Sequence, residues 1–381
     1  MTTTLAGRKG RGHWAFYLAT PLLSVALTLL VAEFGLALFY PVPFSVEHNM
    51  YYEADRHVGY KLKANSVGNF QHGILAVTNG HGHRDDPPAE DGSAICRILL
   101  LGDSLSVGNN VEQHEAYPQV LERMLDEATP FPLEVINTSV GGWSPFQYAQ
   151  YYQYYGQAFD HQLVLVGFFV GNDSYSQTNS VSQTRTAIAG WRVSRRAALS
   201  PFARLRVFLH EHSQLARFIG SRRTPLGLSR TRENCEDFSP EFLAVQRQRF
   251  SNHLRLEKQR GSPQNSVAQL PRFKKLAERH SVPMLVALLP DENQINHRLQ
   301  ELLVGADSLK DYDFQLPQRL LRALLADGDV ATIDLLPWFQ EDRRCLYMND
   351  THWTPQGHQL AASALYQRLA PFVAGACGAP E

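Results

Sequence analysis

A serine hydroxyl becomes a nucleophile near neutral pH when a base of near-neutral pKa takes its proton, and histidine fits that need. The sequence offers both partners in distinctive settings. Gly102-Asp103-Ser104-Leu105 follows directly on the apolar run Ile98–Leu101, so Ser104 stands where a buried strand gives way to a helix-patterned segment, the end at which open α/β sheets bind ligands. Gly102 permits a tight turn there. Far along the chain, Asn349-Asp-Thr-His-Trp-Thr-Pro-Gln-Gly357 supplies a base, His352, and a carboxylate, Asp350, two residues before it. In an extended loop residues i and i+2 project to the same side. Asp350 can then hold the imidazole's tautomer and stabilise the imidazolium that forms.

Two further stretches supply hydrogen-bond donors. Asn137–Trp143 follows the run Leu133–Ile136 and contains Gly141-Gly142, whose backbone lets a substrate approach closely, and Gly171-Asn172-Asp173 follows the run Leu163–Val170. The expected oxyanion hole is Ser104 N–H, Gly142 N–H and the Asn172 amide, each donor worth about 10²–10³ in rate. Asp103 and Asp173 are supporting residues, and Asp173 has an equally good structural reading. Among 15 histidines, His352 is singled out by its Asp-x-His-Trp-x-Pro-x-Gly setting, whereas His358 reads as a helix-surface residue. His81 and His83 form an H-x-H pair with no third or fourth ligand nearby, and read as part of a Gly- and Asn-rich turn.

Positioning these groups requires strands that alternate with helices. The runs Ile98–Leu101, Leu133–Ile136, Leu163–Val170, Pro283–Leu289 and Val330–Leu336 lack regular polar alternation, the pattern of strands buried on both faces of a parallel sheet. Helix-like spacing occupies Ala116–Glu127, Gln147–Gly156, Ala268–His280, Asn293–Leu303 and Leu316–Ala326. The fold class is α/β.

Ahead of this domain lies Trp14–Ala32, 19 uncharged residues, followed after Glu33 by Phe34–Tyr40. At 1.5 Å per residue that run spans a hydrocarbon layer of about 30 Å. Arg8, Lys9 and Arg11 precede it with no acid among them, which keeps the N-terminus cytoplasmic. The expected organisation is a cytoplasmic tail (1–13), a transmembrane anchor (14–40), a lead-in (41–92), the catalytic domain (93–375) with an insertion at about 174–267, and a C-terminal tail (376–381). The domain then faces the non-cytoplasmic side, where four cysteines are free to form disulfides in any of three complete pairings.

The insertion is basic: Ser174–Arg232 holds eleven arginines, no lysine and one acid, Glu211. Phe202, Leu205, Phe208, Leu209, Leu215, Phe218 and Ile219 follow a helical period, with Arg204, Arg206, Arg217, Arg222 and Arg223 around them. The simpler expectation is a helix packed on the main domain. The other is an amphipathic helix on anionic headgroups or facing an anionic substrate. Over the whole chain 36 basic residues balance 37 acidic ones, so no bulk polyanion partner is implied. No dinucleotide fingerprint, P-loop or nucleic-acid module is written.

Taken together, Ser104, Gly142, Asn172 and His352 stand in the block order of the SGNH/GDSL hydrolases, which the chain resembles over about residues 75–375. The closest resemblance is to membrane-anchored bacterial members, through Thr78-Asn-x-x-Gly-x-Arg84 and the Asp-x-His ending. This resemblance implies a flavodoxin-like three-layer α/β/α fold and acyl-ester chemistry without a metal or other cofactor. Two positions depart from the family pattern: Val170 replaces a glycine in the third block, and Asp350 lies two rather than three residues before His352. The shorter spacing is similar to that of alginate acetylation proteins, so transfer to a carbohydrate hydroxyl stands beside hydrolysis. A non-catalytic glycan-binding or assembly role is a third reading. The implied partners are an acyl-ester substrate, on a glycan or lipid, and the membrane; nothing designates a protein partner.

Overall fold

In the computed structural model the described residues are 12–41, 51–69, 74–89, 95–223, 234–259 and 266–377. Arg8, Lys9 and Arg11 and the last four residues of the expected C-terminal tail lie outside them. Two compact units are formed, one from residues 1–45 and 199–227, the other from 46–198 and 228–381.

In the larger unit, short hairpins come first: β1 (Tyr52–Asp55) with β2 (Gly59–Leu62), and β3 (Val67–Asn69) with β4 (Leu75–Val77). Then follow β5 (Cys96–Gly102), α2 (Ser104–Val107), α3 (Tyr117–Ala128), β6 (Leu133–Asn137), α4 (Pro145–Tyr154) and β7 (Leu163–Phe169). The insertion contributes a hairpin, β8 (Thr186–Ile188) and β9 (Trp191–Val193), then α5 (Arg195–Ala198) and α8 (Pro240–Gln259). The unit closes with α9 (Gln269–Glu278), β10 (Met284–Leu289), α10 (His297–Val304), α11 (Leu316–Asp327), β11 (Ala331–Asp334), α12 (Leu336–Glu341) and α13 (Pro355–Cys377).

Five strands make one parallel sheet in the order β11-β10-β7-β5-β6. Every residue of β5, β7 and β10 is buried, as their unbroken apolar runs require. Alternation divides those residues between two cores. Leu99, Leu101, Val164, Val166, Val286 and Leu288 pack with Tyr148 and Tyr152 of α4, Phe273 of α9 and Leu321 of α11. Ile98, Leu100, Leu163, Leu165, Leu285 and Ala287 pack with Leu121 of α3, Phe339 of α12 and Leu365 of α13. The result is a three-layer α/β/α sandwich. Counted from β5, the strand order is 2-1-3-4-5, the flavodoxin-like arrangement, and its switch point lies between β5 and β7.

The lead-in belongs to this unit. Asn79 Oδ1 accepts from the amides of His81 (2.9 Å) and His83 (3.1 Å), and His83 Nε2 meets the Tyr151 hydroxyl at 2.7 Å. The pair thus forms a turn. Cys96, which opens β5, is bonded to Cys377 at the end of α13, and Cys235 to Cys345.

The smaller unit holds α1 (Gly12–Phe39), α6 (Pro201–His212) and α7 (Gln214–Arg223). Residues Ala19–Phe39 of α1, with a mean hydropathy of 2.3, are long and apolar enough to cross a membrane. The expectation of one helix is corrected to two. The period breaks at Ser213 into two helices, and they group with α1.

Candidate active site

Ser104 is the first residue of α2, immediately past β5. Gly102 is required there: a Cβ would lie 2.1 Å from Ser106 Oγ and 3.2 Å from the Gly167 carbonyl. Asp103 caps α2 by accepting from the Leu105 amide at 3.0 Å, and Gly108, at φ 75°, ends it. These constraints fix Ser104 at the switch point.

His352 arrives on the loop between α12 and α13. That loop is closed by the Met348 amide on the His352 carbonyl (2.7 Å) and by the Thr354 hydroxyl on the Cys345 carbonyl (2.8 Å), with Trp353 fully buried beneath it. His352 Nε2 lies 2.9 Å from Ser104 Oγ, and Nδ1 lies 2.9 Å from Asp350 Oδ2. Asp350 Oδ1 also accepts from the His352 amide at 3.1 Å. The three side chains therefore form one hydrogen-bonded row across 248 residues of sequence. The route to it differs from the extended loop expected, because Thr351 adopts φ +76° and the chain turns back on itself. A turn lets one carboxylate hold both the amide and the ring of the same histidine.

Burial disfavours the His352 imidazolium, but the Asp350 carboxylate and its hydrogen bond outweigh that cost and lift the histidine above its usual pKa. For Asp350, burial pushes up while the His352 charge and hydrogen bonds pull down harder, leaving it below the usual carboxylate range. A pair displaced in these opposite senses is suited to receiving a proton from Ser104.

Of the expected donors, Asn172 is tied to the turn that carries Ser104, and the glycine placed against Ser104 is Gly141. Asn172 ends β7's exit and donates Nδ2 to Asp103 Oδ2 at 2.7 Å, which orients the amide and leaves its second N–H for another acceptor. At Gly141 a Cβ would stand 3.8 Å from Ser104 Cβ and 3.2 Å from the Tyr52 hydroxyl, so this glycine faces the serine. Gly142, at φ +76°, faces Arg192 and Tyr60. Asp173 takes the Tyr148 hydroxyl at 2.9 Å and the Phe169 amide at 3.2 Å, the bonds of a structural residue. Val170 extends the pairing toward β10 through its amide on the Leu289 carbonyl at 3.0 Å, so the strand end is formed without the glycine.

Other residues emerge from the structure alone. Asn110, in the left-handed region at φ 66°, donates to Asp350 Oδ2. Its loop is held by Arg84, which donates to the carbonyls of Val107 (3.0 Å), Gly108 (2.7 Å) and Val111 (2.8 Å) and thereby gives the lead-in arginine a physical purpose. Arg192 of β9 donates to the Gly141 carbonyl and lies over the Tyr52 and Tyr60 rings, 5.6 Å from each. Arg249 of α8 pairs with buried Asp291 at 3.2 Å and lies over Phe169, its charge opposing the rise at His352. His358 corrects an expectation: it is fully buried, accepts from the Tyr117 amide at 3.2 Å, and burial pushes it down to about 3.

Residues 250–376, which carry Asp350 and His352, match the family model described as "SGNH hydrolase-like domain, acetyltransferase AlgX". Over that third of the chain the sequence is similar to SGNH hydrolase-like domains. Among curated proteins none matches. Similar solved structures include an acetyl xylan esterase, AlAXEase (11% identity, 72% of this chain and 99% of that one, TM-score 0.39). Others are the psychrotrophic esterase EstA from Pseudoalteromonas sp. (12%, 73% and 98%, 0.37) and the lipase/acylhydrolase from Enterococcus faecalis (11%, 73% and 96%, 0.37).

Proposed function

We propose that the protein is a serine esterase, anchored by α1 in the bacterial cytoplasmic membrane with its catalytic domain outside the cytoplasm, that acts on acyl esters of envelope glycans or lipids. The observation that carries this reading is the row Asp350–His352–Ser104, with both hydrogen bonds at 2.9 Å. Ser104 Oγ attacks the ester carbonyl as His352 Nε2 takes its proton, and Asp350 stabilises the resulting imidazolium. Ser104 N–H, Gly142 N–H and Asn172 Nδ2 receive the tetrahedral oxyanion. As it collapses, His352 returns the proton to the leaving alcohol, and an acyl-serine remains. Water, deprotonated by His352, then releases the acid and restores Ser104.

The second reading replaces that water by a carbohydrate hydroxyl, making the enzyme an O-acyltransferase. It is favoured by the family match over the segment bearing Asp350 and His352. In detergent-solubilised protein, a fluorophosphonate probe is expected to label the parent and not Ser104→Ala, with hydrolysis of a short p-nitrophenyl ester lost in parallel. Labelling that survives the substitution removes Ser104 from the role. Acyl groups recovered on an added glycan, rather than as free acid, decide for transfer.

A further inference from the structure

Helix α6 turns its most apolar side outward. Phe202, Leu205, Phe208 and Leu209 are 83%, 52%, 54% and 42% exposed, and Leu199 just before the helix is 78% exposed. Ala203, Val207, His210 and Glu211, on the opposite side, are the more covered residues. At 100° per residue the four apolar side chains occupy one stripe, and exposed Arg204 and Arg206 lie along its two borders. Left in water, such a contiguous apolar patch is unfavourable, and its usual meaning is a missing partner. A stripe of Phe and Leu edged by Arg matches the boundary between acyl chains and anionic headgroups, where long basic side chains reach the phosphates while the stripe is buried about 5–10 Å deep.

A second observation fixes the depth. Glu33 of α1 accepts from Ser213 Oγ at 2.7 Å and from the Leu215 amide at 3.0 Å, so the start of α7, and with it the end of α6, is held at the level of Glu33. Glu33 is the first charged residue after the 19 uncharged residues Trp14–Ala32, a run about 28 Å long at 1.5 Å per residue. Glu33 lies in the outer part of the candidate span Ala19–Phe39, about 9 Å short of its end at 1.5 Å per residue. The stripe of α6 is thus tethered where a lipid boundary would cover it.

We propose that α6 is an interfacial membrane helix, lying in the anionic lipid surface of the bilayer that α1 crosses, with Phe202, Leu205, Phe208 and Leu209 among the acyl chains and Arg204 and Arg206 on lipid phosphates. This rests on the membrane-spanning reading of α1 and is independent of the ester chemistry. The test uses the full-length protein in lipid nanodiscs, comparing Leu30→Trp and Phe202→Trp after subtraction of the unsubstituted protein's emission. Lipids brominated on the acyl chains are expected to quench both added indoles. The indole at 202 is expected to be quenched more in phosphatidylglycerol-containing discs than in phosphatidylcholine alone, and Arg204→Gln with Arg206→Gln is expected to abolish that excess. Quenching at 30 with none at 202 overturns the proposal and leaves the anchor intact. In that result, aqueous iodide reaching 202 means a solvated helix, and shielding from iodide as well means cover by protein, either a second copy or a partner. Equal quenching with and without phosphatidylglycerol overturns the anionic preference, and no quenching at 30 overturns the membrane reading itself.

Discussion

Replacing Asp350 by asparagine removes the charge that faces His352 while keeping the shape of the side chain. At the observed 2.9 Å, with an effective dielectric of about 20, full charges on the two groups attract by about 6 kcal/mol. The desolvation of the partly buried pair subtracts from that figure, so it is an upper value. Since about 1.4 kcal/mol is a factor of ten in rate, the loss in kcat approaches 10⁴-fold at most, roughly the size seen when a triad carboxylate becomes an amide. The pH profile should move as well. With the carboxylate gone, burial and the Arg249 charge act on His352 against the Asp103 charge alone, so the acidic limb of kcat/KM, raised above the ordinary histidine value in the parent, shifts to lower pH. The assay is steady-state hydrolysis of a short p-nitrophenyl ester across pH, beside a thermal melt to show that the variant folds. A folded Asp350→Asn enzyme within tenfold of the parent, with its acidic limb unmoved, refutes the reasoning.

Gly102→Ala places a methyl 2.1 Å from Ser106 Oγ and should cost about 1–3 kcal/mol of stability, read from a denaturant midpoint, together with most of the activity because Ser104 shifts. Arg84→Leu takes the guanidinium from three buried carbonyls, of which that of Gly108 keeps the long bond from the Val111 amide, and, at about 1–3 kcal/mol for each buried group left unpaired, lowers the melting midpoint. It should also reduce kcat more than it changes KM, because Asn110 loses its place against Asp350; a folded variant with unchanged kcat contradicts this. Burial pushes Asp85 and Glu122 up to about 7 in the folded chain, against about 4 unfolded. The folded state therefore keeps protons that the unfolded one releases, and stability declines as pH rises from about 4 to about 7. Asp85→Asn should flatten that decline in urea midpoints measured across the window.

How much of this was legible in the sequence depended on the range of the information. The buried strands β5, β7 and β10 announced themselves because burial on both faces demands unbroken apolar runs. Ser104 and the Asp350–His352 pair were legible because each is a local pattern at a strand end or in a loop. Asn110 was not, and Arg84 showed only as part of a lead-in motif without a role, since each acts across space on groups that sequence separates, by 240 residues in the case of Asn110 and Asp350. Arg192 and Arg249 lay hidden in a segment whose arginines looked alike until the chain folded. His358 was misread although a signal existed: with Ala361, Ala362 and Leu365 it falls on the buried face of α13. The period of α6 was also legible, but a period tells which side is apolar and not what covers it.

The bond from Cys96 to Cys377 joins the first residue of β5, the strand that leads to Ser104, to the last described residue of the final helix, 281 positions apart. From Cys96 onward the larger unit is thereby a closed ring rather than a thread with a loose end. A load applied to the C-terminal tail, or a peptidase nibbling inward from it, meets a covalent stop before it can peel α13 away from the face that supports the His352 loop. Wear at that terminus is thus uncoupled from the Asp350–His352–Ser104 row until a reductant opens the ring.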